Sequence, residues 1–200
     1  MKPLADSTGI FNYHEYMILT HGRESSYALG WRDTESQLIR FKALAGIGNF
    51  EGHSILDAGC GYGDLLPYLS TMYGQITYTG IEQIPVLFNE ALTRHHNYSN
   101  TSFIFGNFMN ITLPVSDYVM ASGSLNYKNS DPQFIFKAIK KLYESCMLGF
   151  AFNLLKTIIS EGILVAYDPF EILNYASSIC REAKLVTGYA DEDFTIFMYR

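Results

Sequence analysis

The chain has no run of basic residues longer than two, and its net charge is −6. A continuous positive footprint for a phosphate backbone is therefore missing, which argues against a dedicated nucleic-acid binder. Cysteine is scarce. Cys60, Cys146 and Cys180 are odd in number, far apart and without metal-ligand spacing. Reduced thiols in a cytoplasmic protein are the simplest expectation, and no metal site is expected. The N-terminus, MKPLADSTGIFNYHEY, holds no apolar stretch of signal-peptide length. The most apolar later run, MLGFAFNLL at 147–155, is too short to cross a bilayer and contains Asn153, so no membrane partner is expected. Internal repeats, low-complexity tracts and long linkers are also missing, so the 200 residues read as one domain. Aromatics are plentiful instead, with fifteen Tyr and fourteen Phe, most of them expected in core and rim.

The pattern along the chain changes near residue 52. Before it the sequence reads as helical, with a Gly-punctuated loop at 19–33. A helix follows from TESQLIRFKALAGIG, where Leu38, Phe41, Leu44 and Ala45 recur at helical spacing and Thr34 is a candidate cap. After it, short apolar runs at 54–58, 76–81, 102–105, 117–121 and 148–154 alternate with helical stretches at 64–73, 84–96, 131–147 and 169–183. Such alternation predicts a parallel sheet with helices on both faces. The tail, KLVTGYADEDFTIFMYR, gives two further strand-like runs joined by Asp191–Glu192–Asp193, a link short enough to force antiparallel pairing. The expected fold is α/β and doubly wound, a mostly parallel seven-stranded sheet with an antiparallel C-terminal strand. Residues 1–50 would form a helical cap or lid over a Rossmann-like core at 51–200.

The first strand leads into ILDAGCGYGDLL at 55–66, with glycines at alternate positions, Gly59, Gly61 and Gly63. A Gly-rich turn from strand into helix lets a ligand touch backbone and meet unpaired N–H groups. The third glycine comes one residue too early for the G-x-G-x-x-G fingerprint of nicotinamide enzymes. The second strand ends in TGIEQ, placing Glu82 nineteen residues after Gly63. A carboxylate at that strand end can accept both hydroxyls of a ribose. Loop and acid together imply an adenosine-type ligand.

ILDAGCGYGDLL and YTGIEQ resemble the first two motifs of the class I S-adenosylmethionine-dependent methyltransferases. FGNF at 105–108 stands where that family contacts adenine, SDYVMASGSLNY at 116–127 is similar to its fourth-strand motif, and the closing hairpin agrees with its antiparallel last strand. The resemblance covers about residues 50–200. The whole chain, through SQLIRF, AFNLL, YDP and DFTIFMYR, further resembles a bacterial group of unassigned substrate. The resemblance implies S-adenosylmethionine as cofactor and a small-molecule methyl acceptor. It implies that Asp57 lies near the methionine amino group, that Gly59, Cys60 and Gly61 form the loop against methionyl and ribose, and that Glu82 binds the ribose diol. Gln83 and Ile84 would flank adenine, Asn107 would stand where many relatives carry Asp for the adenine amino group, and Phe108 would pack on the ring. Ser122 and Gly123 would contact the amino-acid end.

Ser122-Gly123-Ser124-Leu125-Asn126 departs from the Asn/Asp-Pro-Pro-aromatic motif of amino-directed methyltransferases, which argues against methylation of bases. No residue stands out as a base. His14 and His21 lie in the N-terminal segment, where either can serve, although a solvated or structural role is the simpler expectation. His95 and His96 read as surface residues. Asn126, Tyr127, Asn153 and Tyr167 follow strand ends and are candidates to orient substrate, while Asp168 is equally explained as a helix cap. The N-terminal segment is expected to close over the cofactor, with Tyr27 or Trp31 shielding it and Gln37 or Arg40 reaching inward. Two other functions compete with a methyltransferase: a cofactor-binding regulator without catalysis, and a nicotinamide dehydrogenase.

Overall fold

The computed structural model describes residues 3–23, 25–158 and 162–200. Glu24, within the expected lid, lies outside them. The elements run α1 (Pro3–His21), a single 3-10 turn (Ser26–Leu29), α2 (Thr34–Ala45), β1 (Ser54–Ala58), α3 (Leu65–Ser70), β2 (Thr77–Glu82), α4 (Pro85–His95), β3 (Thr101–Phe105), β4 (Ser116–Ala121), α5 (Phe134–Glu144), β5 (Cys146–Leu155), α6 (Pro169–Ile179), β6 (Glu182–Val186) and β7 (Asp193–Tyr199). The strands form one seven-stranded sheet in the order β3-β2-β1-β4-β5-β7-β6. The pairs among β1 to β5 are parallel, and β7 runs antiparallel to both β5 and β6.

The central strands are apolar on both faces because both faces are covered. Leu56, Val119, Phe150 and Phe152 point to the side where α5 and α6 bring Ile139, Leu142 and Ile172. Ile55, Tyr78, Met120 and Ala151 point to the other, where α2 and α3 bring Phe41, Leu44, Leu65 and Leu69. A third, smaller cluster joins Ile84 and Leu87 to Ala28 and Tyr62, with Ile10 and Phe11 of α1 against it. The N-terminal segment is thus fastened to the core by its own apolar contacts.

Several boundaries differ from those expected, each for a local reason. α2 is capped by Asp33 rather than Thr34: the Asp33 carboxylate accepts from Ser36 N–H at 2.6 Å, and Ser36 Oγ accepts from Asp33 N–H at 3.3 Å. α5 starts at Phe134 rather than 131, because Asp131 accepts from the Gln133 N–H and closes a turn first. α6 ends at Ile179 where Cys180 turns extended, and β6 begins at Glu182, inside the stretch expected to be helical. Asp168 does cap α6, accepting from the N–H groups of Phe170 and Glu171 at 2.8 Å. No helix among the described residues is long and apolar enough to cross a membrane.

From β1 the sheet grows to one side through β2 and to the other through β4, so the strand order reverses between β1 and β4. A crevice at the carboxyl ends of these strands is where such sheets bind ligands. α1, the 3-10 turn and the start of α2 lie over it.

Candidate functional site

A cavity of about 440 Å³ opens at that reversal point, lined by the loop after β1, the end of β2, the loop after β4 and the N-terminal segment. The loop after β1 is a tight left-handed turn, with φ of 77° at Gly59, 59° at Gly61 and 77° at Gly63. A side chain is excluded by protein neighbours as much as by any ligand. A Cβ on Gly59 would stand 2.4 Å from Ser124 Cβ, and one on Gly61 would stand 2.9 Å from Leu29 Cδ2. The N–H groups of Gly59 and Cys60 both donate to Ile81 O, which ties the loop to β2.

Glu82 closes β2 and holds the loop from the other side. Its Oε2 accepts from Gly61 N–H at 2.9 Å and its Oε1 from Ile84 N–H at 2.7 Å. The carboxyl is only 5% exposed, yet it lines the cavity. Burial pushes its pKa up to about 7, against the pull of the Ile84 and Gly61 N–H bonds. Asp57, at 2% exposure, sits one strand over. Its Oδ2 accepts from Tyr78 O–H at 2.7 Å, while its buried Oδ1 has no partner among the described residues. Burial pushes Asp57 to about 7 as well, the Tyr78 bond opposing it. Cys60 is buried between them, and burial drives its thiol pKa well up, so it stays protonated.

Both acids hold a proton more tightly folded than unfolded. The stability their protonated forms contribute is present below the unfolded values, near 4, and is lost as pH rises through about 7. Heat denaturation is expected to give a lower midpoint near pH 8 than near pH 5, with the drop smaller in Asp57→Asn. A drop undiminished in that variant contradicts the assignment.

The other expected site residues divide. Tyr27, Gln37, Arg40, Gln83, Ile84, Phe108, Ser122 and Gly123 line the same cavity. Asn107 does not. It lines an adjoining cavity of about 300 Å³, where its amide donates to Gln83 Oε1 at 2.9 Å and its Oδ1 accepts from Met109 N–H at 2.8 Å. Phe108 and Gln83 belong to the walls of both cavities. Ser122 Oγ donates to the fully buried Asn153, whose amide donates in turn to Thr195 on β7. Tyr167 lies away from the cavity and points to Leu125 O. His95 is not on the surface: it is buried beneath the glycine loop, with Nε2 at 2.9 Å from Tyr62 O, while His96 is exposed. Phe103 stacks on the ring of His95, which the sequence spacing gave no way to see.

In the N-terminal segment, Trp31 packs against Gly123, where a Cβ would meet the indole at 2.7 Å. The Arg40 guanidinium lies 5.1 Å from the indole centroid. Tyr27 stacks on His21 at the rim. Gln37 donates to Asp64 Oδ2 at 3.1 Å. Arg40 is 6% exposed, donates to Ser36 O at 2.6 Å, pairs directly with Asp193 and lies 3.7 Å from Glu192. This clasp joins α2 to β7 across the cavity mouth, and sequence gave no sign of it because the partners are far apart in the chain. Asp193 is 1% exposed. Arg40→Met is therefore expected to lower unfolding stability by about 3–5 kcal/mol by stranding that carboxylate. Adding Asp193→Asn should restore part of the loss in denaturant titration. Equal stabilities of all three chains contradict the clasp.

Residues 55–145 match a family described as a methyltransferase domain. A curated putative methyltransferase of Mycobacterium tuberculosis is 35% identical over 107 residues, covering 51% of this chain and 63% of the relative. The chain thus matches less than two thirds of that relative's length. Among solved structures, the magnesium protoporphyrin IX methyltransferase of Synechocystis PCC 6803 with bound S-adenosylhomocysteine superimposes with a TM-score of 0.72 at 14% identity, covering 97% of this chain and 99% of that one. A methyltransferase of Aquifex aeolicus gives 0.63 at 20% identity over 83% and 93% of the two chains. An N-methyltransferase of Bradyrhizobium japonicum WM9 with S-adenosylhomocysteine gives 0.65 at 14% identity over 96% and 98%. The segment 55–145 thus resembles a methyltransferase domain, and the chain shares its fold with these three solved structures.

Proposed function

We propose that the chain transfers a methyl group from S-adenosylmethionine to a small-molecule acceptor. The observation that carries this reading is the pairing of the glycine loop with Glu82 in one cavity wall at the strand-order reversal. The residues fit the cofactor. Each oxygen of Glu82 takes one backbone N–H and keeps a lone pair for a ribose hydroxyl. The partnerless Oδ1 of Asp57 suits the ammonium of the methionyl group. Ile84 and Phe108 offer apolar surfaces for the purine, and Gln83, tied to Asn107, borders them. When bound, the cofactor supplies an activated methyl on a sulfonium, a good leaving group. The protein's share is alignment and the exclusion of water, the proximity term being worth about 7–11 kcal/mol at best.

A small acceptor is favoured by the cavity, whose volume of about 440 Å³ lies in the range of small-molecule sites, and by the acidic balance of the chain. Trp31 and Arg40 stand at its mouth as closure elements over the site. We read the chain as a single domain working in the cytoplasm, in keeping with three free cysteines. Calorimetry against S-adenosylmethionine, S-adenosylhomocysteine and NAD tests the assignment. The two S-adenosyl ligands are expected to bind and NAD to fail. Tight NAD binding without S-adenosyl binding would overturn it.

A further inference from the structure

We infer that His14 and Tyr127 form a proton-accepting dyad and that the methyl acceptor is an aromatic hydroxyl compound; this rests on the methyltransferase reading above. His14 sits on α1 at 3% exposure, and Tyr127 follows β4. The two rings meet edge to face, with His14 Nε2 at 2.7 Å from Tyr127 Oη. His14 Nδ1 lies 3.0 Å from Ala28 O. A carbonyl can only accept, so Nδ1 carries the proton and Nε2 offers its lone pair. The Tyr127 hydroxyl therefore donates to Nε2, and its oxygen presents only lone pairs to the cavities. That oxygen attracts a donor and repels an acceptor.

Tyr127 occupies a shared wall. It lines both the principal cavity and the adjoining one of about 300 Å³, as do Ile10 and Phe108. Around the dyad stand Tyr13, Met17 and Leu164, apolar or aromatic. This is a slot for a flat apolar body with one hydrogen-bond donor. Burial lowers the His14 pKa against the opposing Ala28 bond, which keeps the ring neutral and ready to accept a proton near neutrality. Burial likewise raises that of Tyr127, so its proton stays on until the reaction moves it. Groups that face the pair are Tyr13 from α1, the Ala28 carbonyl from the 3-10 turn, and Glu82 from β2 through its field on Tyr127.

The dyad narrows the acceptor. A carboxylate arrives ionised and needs no base. An alkylammonium must shed its proton before its nitrogen has a lone pair to attack with, so a proton that leaves as the new bond forms does nothing for it. An aliphatic alcohol is too weak an acid for a neutral imidazole. A phenol, with a pKa of about 10, is within reach when the proton leaves as the new bond forms. The electrons balance. The acceptor oxygen bonds to the methyl carbon, the carbon–sulfur bond breaks, and its pair stays on sulfur as a neutral thioether. The acceptor proton passes to Tyr127 Oη as the Tyr127 proton passes to His14 Nε2, leaving an imidazolium that still donates to Ala28.

The test uses 2-naphthol as the probe, with 2-methoxynaphthalene, naphthalene-2-carboxylate and 2-(aminomethyl)naphthalene beside it. On the full chain saturated with S-adenosylhomocysteine, calorimetry is expected to show 2-naphthol binding at least about tenfold tighter than the methyl ether, a preference lost in Tyr127→Phe. With S-adenosylmethionine, labelled methyl should pass to 2-naphthol. His14→Gln is the decisive variant, since an amide can still join Tyr127 to Ala28 but cannot take a proton. Its kcat should fall about 100-fold or more with the KM for S-adenosylmethionine unchanged, and the acid limb of the wild-type pH profile should vanish. A His14→Gln chain within threefold of wild type overturns the inference. So does preference for the carboxylate or the amine, or S-adenosylhomocysteine binding without any binding or methylation of 2-naphthol. Failure to bind S-adenosylhomocysteine at all would instead bring down the cofactor reading, and the first titration separates the two.

Discussion

Glu82→Ala is expected to weaken cofactor binding by about two to four orders of magnitude and to loosen the glycine loop as well. Losing charged hydrogen bonds to two ribose hydroxyls should cost about 1.5–3 kcal/mol each, which corresponds to a loss of two to four orders of magnitude in affinity. The sequence alone suggests an acid held by its ligand rather than by the core, and so a variant that still folds. The structure adds two backbone partners to that side chain. Gly61 N–H and Ile84 N–H both lose their acceptor in the variant. Stranded donors cost about 1–3 kcal/mol each, partly offset because a buried carboxylate is removed. A net loss of about 1–2 kcal/mol of unfolding stability is expected, with Glu82→Gln milder because its amide oxygen still accepts one of the two bonds. Calorimetry with S-adenosylhomocysteine and denaturant titration check the two halves. Unchanged affinity in a folded variant places the ribose elsewhere.

Gly59→Val has the larger effect on the fold itself. The residue sits at φ 77°, where an L side chain costs about 1–2 kcal/mol. Its Cβ would also stand 2.4 Å from Ser124 Cβ. Ser124 cannot swing clear without breaking the bond its Oγ donates to Ala58 O at 2.5 Å. Overpacking adds about 1–3 kcal/mol, so a total of about 2–5 kcal/mol is expected. Gly52→Ala is the control. It has φ 75° but nothing within 4 Å of the added Cβ, so only the backbone cost of about 1–2 kcal/mol remains. Unfolding midpoints of the two variants should differ accordingly. Equal losses would show that the contact with Ser124 is absent in solution.

The sheet was legible because its signals are local. Each strand is a short apolar run, each crossover helix has its own periodicity, and the short acidic link fixes the final antiparallel pair. The glycine loop and Glu82 were legible for the same reason, being adjacent to strand ends. Contacts between distant segments left no mark. The Arg40–Asp193 clasp and the His14–Tyr127 bond each join residues more than a hundred positions apart. His95 looked like a surface residue beside His96 because helix-end polarity is the usual rule, and only the fold brings it under Gly63. The place of Asn107 after β3 was legible, whereas its bonds to Met109 N–H and to Gln83 were not.

A crystal structure of the chain with S-adenosylhomocysteine tests the central claim most directly. The ribose hydroxyls should lie within hydrogen-bond distance of the Glu82 oxygens, the amino group of the homocysteine beside Asp57 Oδ1, and the purine between Ile84 and Phe108. A ligand bound away from the loop at 59–63, or with its ribose out of reach of Glu82, contradicts the assignment of this cavity to the cofactor.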